Sequence, residues 1–244
     1  NFSESFFQLM KRVAAQTAKE FPGRRLGVFA YQLTNAPPQS VDFIGDNVDV
    51  TLCQDTSQHF DPKYRKTDYE MAKEWVEKSG GVKLYDYLGI SYWTPRYFPL
   101  IMADQLKHLS DCGVEGFVTH SSTMADSSMP MFYLLDRMLW NADLDPDAVI
   151  DEMISDLYGE EAGPMRRFYR HWEQCWERQD EGKWFFGMDN FRGEMMIYSW
   201  EDIEKGRRLL EAAERQATSD IVKQRIAWLQ QRFAFTLASA RAHK

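Results

Sequence analysis

Cysteine is scarce in this chain. Cys53, Cys112 and Cys175 are its only three, and no two of them form a CxxC or other short pair. So low a count excludes a disulfide framework and speaks against a structural zinc site; three small buried thiols are the expectation. None of the five histidines lies in an HxH or HExxH arrangement. GxGxxG, GxxxxGK[ST] and GxSxG are all missing, so nucleotide-binding and serine-hydrolase readings have no foothold. No metal and no cofactor is expected. No apolar run approaches the ~18–20 residues of a membrane helix, so no membrane span is expected. No secretory leader is visible. The chain begins at Asn1 without a Met, which reads as a processed or excised start. A repeat of 20–50 residues is absent too, which excludes solenoids.

Positive charge is outnumbered, with 29 Lys and Arg against 37 Asp and Glu, for a net charge of −8. An acidic chain with a pI near 5.2 is a poor match for a nucleic-acid groove or an anionic membrane surface. Apolar material is plentiful, at 44% hydrophobic and 14% aromatic residues. That is enough to fill a core and excludes wholesale disorder. A length of 244 residues allows one barrel-sized domain, or a medium domain with an appendage.

The order of patterns is informative. Phe6, Leu9, Met10, Val13, Ala14 and Thr17 recur at helical spacing within Ser3–Glu20, before the stop Phe21-Pro22-Gly23. Leu26 to Tyr31 reads as a buried strand, apolar throughout, and Val48 to Cys53 as a second. Thr67-x-x-Glu70 is a capping box that predicts the start of a helix carrying Met71, Ala72, Trp75 and Val76. A third strand is expected at Val82–Leu88 and a fourth at Val114–Thr119, with a helix between them closed by Cys112-Gly113. Strands alternating with helix-length crossovers predict a parallel sheet covered by helices.

From Met131 onward the pattern is helical. Asp145-Pro146 supplies a cap and an N1 proline, Gly159 a stop, and Pro164 the start of the next helix. Residues 180–198 look irregular, with Gly182, Gly187 and Gly193. Two helices, near Trp200–Ala217 and Ser219–Ala242, close the chain.

Four strands with their crossovers are half of an eight-stranded barrel, which takes ~250 residues when complete. The fold expected is therefore α/β: the C-terminal half of a (β/α)8 TIM-type barrel over residues 1–130, then an all-helical region over 131–244 packing on it. A four-stranded open sheet with a helical appendage is the alternative. The half-barrel reading also predicts that its open edges and inner face need the missing half, another chain, or the helices as cover.

Functional residues of parallel α/β folds sit at the carboxyl ends of the strands. Those ends read Tyr31-Gln32, Gln54-Asp55, Asp86-Tyr87 and His120-Ser121-Ser122. Two of the four carry a carboxylate, and Tyr31, Tyr87, Tyr92 and Trp93 lie beside them. Paired carboxylates in an aromatic-rimmed mouth suit glycoside hydrolysis: one protonates the leaving oxygen, the other activates water or attacks C1. Asp86 shares the parity of Val82 and Leu84, which would turn it into the barrel with them. Against this stands the ordinary use of strand-end Asp as a loop cap or turn bond. His120 is a hydroxyl-binding or proton-shuttling candidate, or merely hydrogen-bonded. Tyr92 and Trp93 are a sugar platform or a lid over the crossover helix. Asp126 reads as solvated, and Met124, Met129, Met131 and Met138 as core filler.

Leu139-Trp140-Asn141-Ala142-Asp143, then Val149-Ile150-Asp151-Glu152, then Leu157-Tyr158-Gly159-Glu160-Glu161-Ala162 carry a resemblance. The stretch resembles bacterial barrel proteins related to α-glucuronidases, and most closely the domain of unknown function 4838 family, which is glycoside-hydrolase-like. Asn47-Val48, Leu84-Tyr85-Asp86-Tyr87 and Gly113-Val114-Glu115-Gly116-Phe117 are similar to it as well. The resemblance implies a C-terminal barrel half and following helices, a carbohydrate substrate, and a secreted or periplasmic location. It also implies that Asp55 and Asp86 take the places of two late-strand carboxylates, with the catalytic acid coming from an earlier strand. That strand would belong to a missing N-terminal half or another chain. The family often carries a carboxylate after the fourth strand, where this sequence has Thr119-His120-Ser121.

The function expected is thus a glycoside-hydrolase-like part acting on polysaccharide or oligosaccharide, with Asp86 and Asp55 as acid/base groups and Tyr31, Tyr87, Tyr92, Trp93 and His120 contacting sugar. The alternative is a non-catalytic carbohydrate-binding or scaffold module, which carboxyl groups covered by other side chains would favour. A protein-interaction role for the terminal helices would show as an exposed apolar face.

Overall fold

The computed structural model describes residues 2–121, 125–159, 162–184 and 191–243. Ser122, Met124, Glu160, Glu161 and Gly187 lie outside them. The first part alternates: α1 (Phe2–Glu20), β1 (Leu26–Ala30), β2 (Val48–Cys53), α2 (Pro62–Lys78), β3 (Gly81–Gly89), α3 (Pro99–Cys112) and β4 (Gly116–Ser121). The four strands form one sheet in the order β1-β2-β3-β4, every neighbouring pair parallel. After β4 come α4 (Met129–Trp140), α5 (Pro146–Tyr158), α6 (Ala162–Glu177), α7 (Phe191–Ile197), α8 (Trp200–Gln216) and α9 (Asp220–His243). The chain is mostly helical, with nine α-helices among the described residues.

Strand alternation decides what lies on each side of the sheet. Val28, Val50 and Val82 stand in register, as do Leu52 and Leu84 one pair further on. All are buried, and they share a cluster with Phe7 and Ala14 of α1, Ala72 and Trp75 of α2, and Leu109 of α3. This is the helix-covered face. The intervening residues point the other way, and there Phe29 remains 57% and Val118 48% exposed. The first strand is therefore not buried throughout: Phe29 faces outward, while Leu26, Val28 and Ala30 face the helices.

Several local expectations shift. Helix α2 starts at Pro62, five residues before Thr67, because Asp61 is the stronger cap: its carboxylate accepts from the Lys63 and Tyr64 amides. Thr67 is inside the helix, with its hydroxyl donating to the Lys63 carbonyl. Strand β4 begins at Gly116, since Val114 and Glu115 belong to the turn after Gly113, whose φ of +94° ends α3. Within 180–198 the structure forms α7. Met131 and Met138 are core residues, whereas Met129 is 37% exposed.

A second, larger core begins at Leu88 and continues through α3 to α9. Trp172 and Trp176 of α6 are its largest fully buried side chains. α8 crosses α6 so closely at Gly206 that a Cβ there would lie 2.2 Å from the Trp172 ring.

Candidate functional site

Asp86 lies on the helix-covered face, the opposite of what its parity with Val82 and Leu84 was expected to mean. Those residues face the helices, and Asp86 follows them. It is 1% exposed. Its Oδ1 accepts from the Tyr87 amide at 2.6 Å and the Thr56 amide at 3.3 Å, and its Oδ2 from the Thr56 hydroxyl. Burial, with the Asp55 charge adding to it, pushes its pKa up to about 6, against the lowering effect of those hydrogen bonds.

Asp55 is wholly buried as well. It caps the 3-10 turn Thr56–Gln58 in position, and its Oδ1 meets Arg96 Nη2 at 2.6 Å and accepts from the Ser57 hydroxyl at 2.6 Å. Arg96 follows the Tyr92-Trp93-Thr94-Pro95 loop, and its Nη1 donates to the Ile90 carbonyl at 2.7 Å. Trp176 of α6 donates to the Ser57 carbonyl at 2.6 Å, and its ring lies 5.7 Å from the Arg96 guanidinium carbon. The two strand-end carboxylates thus sit together in a buried polar layer, sealed by the 55–58 turn, Arg96 and α6. A second buried pair adjoins it, His59 Nε2 to Asp68 at 2.9 Å. Burial raises the Asp68 pKa, and the His59 contact opposes that.

The uncovered face carries a different surface. Tyr85 and Tyr87 of β3 are 5.3 Å apart, ring to ring. His120 of β4 stacks on Tyr87 at 5.8 Å and 16°, and its Nε2 is hydrogen-bonded to the Tyr85 hydroxyl. Phe29 approaches Tyr85 edge-on at 6.2 Å. Trp184 closes the group, 5.4 Å from Tyr87 and 6.2 Å from Tyr31. The Tyr87 hydroxyl is also bonded to the side chains of Cys53 and Tyr31, and burial raises its pKa. Trp184 is held there because the Gly182 amide donates to Asp61 and the Lys183 amide to Gln58, both at 3.1 Å. Gly182 is required at that approach, since a Cβ would lie 2.9 Å from the Gln58 carbonyl oxygen.

Of the expected sugar contacts, Tyr31, Tyr87 and His120 come together. Tyr92 and Trp93 make their described ring contacts elsewhere: with each other at 5.5 Å, and Trp93 with Phe191 of α7 at 5.2 Å. Their loop is tied down by Glu194 of α7, which is 3% exposed. Its carboxylate accepts from the amides of Tyr92, Trp93 and Thr94 at 3.1, 2.9 and 3.2 Å, and from the Ser91 hydroxyl at 3.1 Å. Arg96, Thr56, Trp184 and Glu194 were not singled out from the sequence. An aromatic residue in a Gly-containing segment outside any helical period was the one available signal for Trp184.

Among the described residues one group brings possible metal ligands together, His171, Cys175 and Asp202, with ligand atoms within 4.8 Å. It does not suit a cation. The Asp202 carboxylate is already bonded to Arg178 and Ser199, and Arg178 and Lys205 both oppose positive charge on His171.

Residues 1–171 match the model of the family described as Domain of unknown function (DUF4838). The chain belongs to that family. No curated protein and no solved structure matches it. The matched DUF4838 stretch contains the sheet, both strand-end carboxylates and every member of the aromatic surface except Trp184. No described helix is long and apolar enough to cross a membrane.

Proposed function

We propose that this DUF4838 chain is the carbohydrate-contacting wall of a glycoside-hydrolase-like protein. Its four parallel strands make half of a (β/α)8 barrel, and the rest comes from a preceding half or another chain. The observation carrying this reading is the contiguous aromatic surface of Tyr31, Tyr85, His120 and Trp184, assembled around the buried Tyr87 at the carboxyl ends of the strands, on the face that helices leave uncovered. In a closed barrel that face turns inward, where ligands meet the strand ends. Aromatic rings pack on the C–H faces of a pyranose, and the Tyr and His polar atoms offer hydrogen bonds to its hydroxyls. The helix–loop resemblance to barrel proteins related to α-glucuronidases points to the same ligand class.

Because Asp55 and Asp86 are both covered, the geometry favours binding over hydrolysis by these two groups. Affinity electrophoresis of the purified chain in gels containing xylan, β-glucan, mannan or pectin is the direct test. Retardation is expected in at least one gel, and Trp184→Ala or Tyr85→Ala should remove it at an unchanged melting temperature. No retardation in any of the four sinks the reading.

Hydrolysis stays as a second reading, with Asp86 and Asp55 as acid/base pair, on one observation. The Asp86 carboxyl has a pKa raised to about 6, in the range that a general acid needs near neutrality.

A further inference from the structure

A groove of about 590 Å³ lies between α5, α6 and α8, with Tyr97 of the β3–α3 loop at its edge. Its size is that of a small-molecule site. Helices α5 and α8 both pack on α6, and the trough between them keeps an apolar floor of Ile150, Ile154, Tyr169 and Leu209. The rim is charged: Arg166, Arg167, Arg170 and Lys205 face Asp147, Asp151 and Glu173.

Pairing sorts those charges. Arg166 is bonded to Asp151. Arg170 is shared between Asp147 at 2.9 Å and Glu173 at 2.7 Å. All three carboxylates are thereby matched. Arg167 and Lys205, both exposed, enter no ion pair among the described residues. They stand on α6 and α8, on two of the helices that bound the groove. In a protein of net charge −8, this is an apolar trough with surplus positive charge at its mouth. Burial lowers the pKa of His171 on the groove wall, and the Lys205 charge adds to that.

We infer that this groove binds a small amphipathic organic anion, an apolar ring or chain body with one carboxylate or sulfonate head. The body lies on Ile150, Ile154, Tyr169 and Leu209, and the head lies between Arg167 and Lys205. A neutral apolar ligand would leave the two cations unmatched, and an inorganic anion would leave the floor wet. The inference is independent of the carbohydrate reading, because no groove residue belongs to the sheet.

The test uses 8-anilinonaphthalene-1-sulfonate, whose fluorescence rises in apolar surroundings, and N-phenyl-1-naphthylamine, the same ring system without the sulfonate. The sulfonate is expected to bind the parent chain and to lose at least tenfold in affinity in the double variant Arg167→Gln/Lys205→Gln. The neutral probe should change less than threefold. Ile150→Trp, which fills the floor and leaves the rim charges, should weaken both probes. Absence of sulfonate binding to the parent, or a loss below tenfold in the double variant, overturns the inference. So does a comparable loss of the neutral probe in that variant. Should Ile150→Trp fail to fold, the double variant decides alone, since both its substitutions are on the surface. Trp184→Ala tests the aromatic sheet face separately: unchanged sulfonate affinity there keeps the groove as the site, and a tenfold loss moves the probe to the sheet and overturns the assignment.

Discussion

Arg96 reaches across from the β3–α3 loop to hold the Asp55 carboxylate at 2.6 Å, with both side chains withdrawn from solvent. Neither charge is tolerable there alone. Removing one partner of a buried pair strands the other, at a cost of about 3–5 kcal/mol. Arg96→Met is therefore expected to lower stability by that amount in urea unfolding. The double variant Arg96→Met/Asp55→Leu should recover a large part of it. If the double variant is as unstable as the sum of the two single ones, the pair is not coupled as described.

Asp86 gives a pH signature. Its folded pKa, about 6, lies above the ordinary aspartate value, so the folded state holds the proton more tightly than the unfolded one. The stabilisation from this proton is full below about pH 4 and is lost as the pH rises through about 6. It amounts to roughly 3 kcal/mol across that window. Asp86→Asn keeps an acceptor for Thr56 and removes the charge. The variant should be at least as stable as the parent at pH 7, and its stability should vary less between pH 4 and 7. A variant that melts lower at pH 7 with an unaltered pH profile would show the carboxylate to be needed in its charged form. Measured on the assembled protein, glycan turnover reduced 10²-fold or more in the same variant would revive the hydrolytic reading.

Glu194 predicts a local effect. Its carboxylate takes three consecutive amides of the 92–94 loop. Glu194→Ala leaves these donors to water or to nothing, at roughly 1–3 kcal/mol. Hydrogen exchange should accelerate at Tyr92, Trp93 and Thr94 while the amides of β1 and β2 keep their protection. Equal acceleration in both places would mean global destabilisation instead.

Gly206 has no room to grow. A methyl group there would overlap the Trp172 ring, which is fully buried. Gly206→Ala raises helix propensity, yet it should destabilise by about 1–3 kcal/mol through overpacking. A rise in melting temperature would show that α8 can move away from α6.

The parallel sheet was legible from the helix-length crossovers between its strands, and the capping at Asp145 and the turn at Gly113 because each depends on chemistry within a few residues. Asp61 was equally local, but Thr67-x-x-Glu70 offered a competing cap further on, and the Asp61-Pro62 pair won through its two amide bonds and the N1 proline. The orientation of Asp86 was half legible. Its side of the strand followed from alternation, but whether that side met helices or the opposite face depended on which face α1 to α3 cover. Arg96, Trp176 and Glu194 were beyond reach: they meet their partners across 41, 119 and about 100 residues of chain, and nothing local encodes such a meeting.

The hydrogen bond from Trp176 to the Ser57 carbonyl joins two parts of the chain that sequence similarity separates. The DUF4838 match stops at residue 171, midway along α6, and Trp176 lies beyond it. Trp176 covers Arg96 and Phe98, so the strand-end loops borrow their roof from outside the family boundary. A relative that diverges after that point must therefore roof the Asp55–Arg96 pair with a different residue, or have no such pair. The family match ends inside a core that continues through α9, so the edge of the match and the edge of the packing are different lines in this protein.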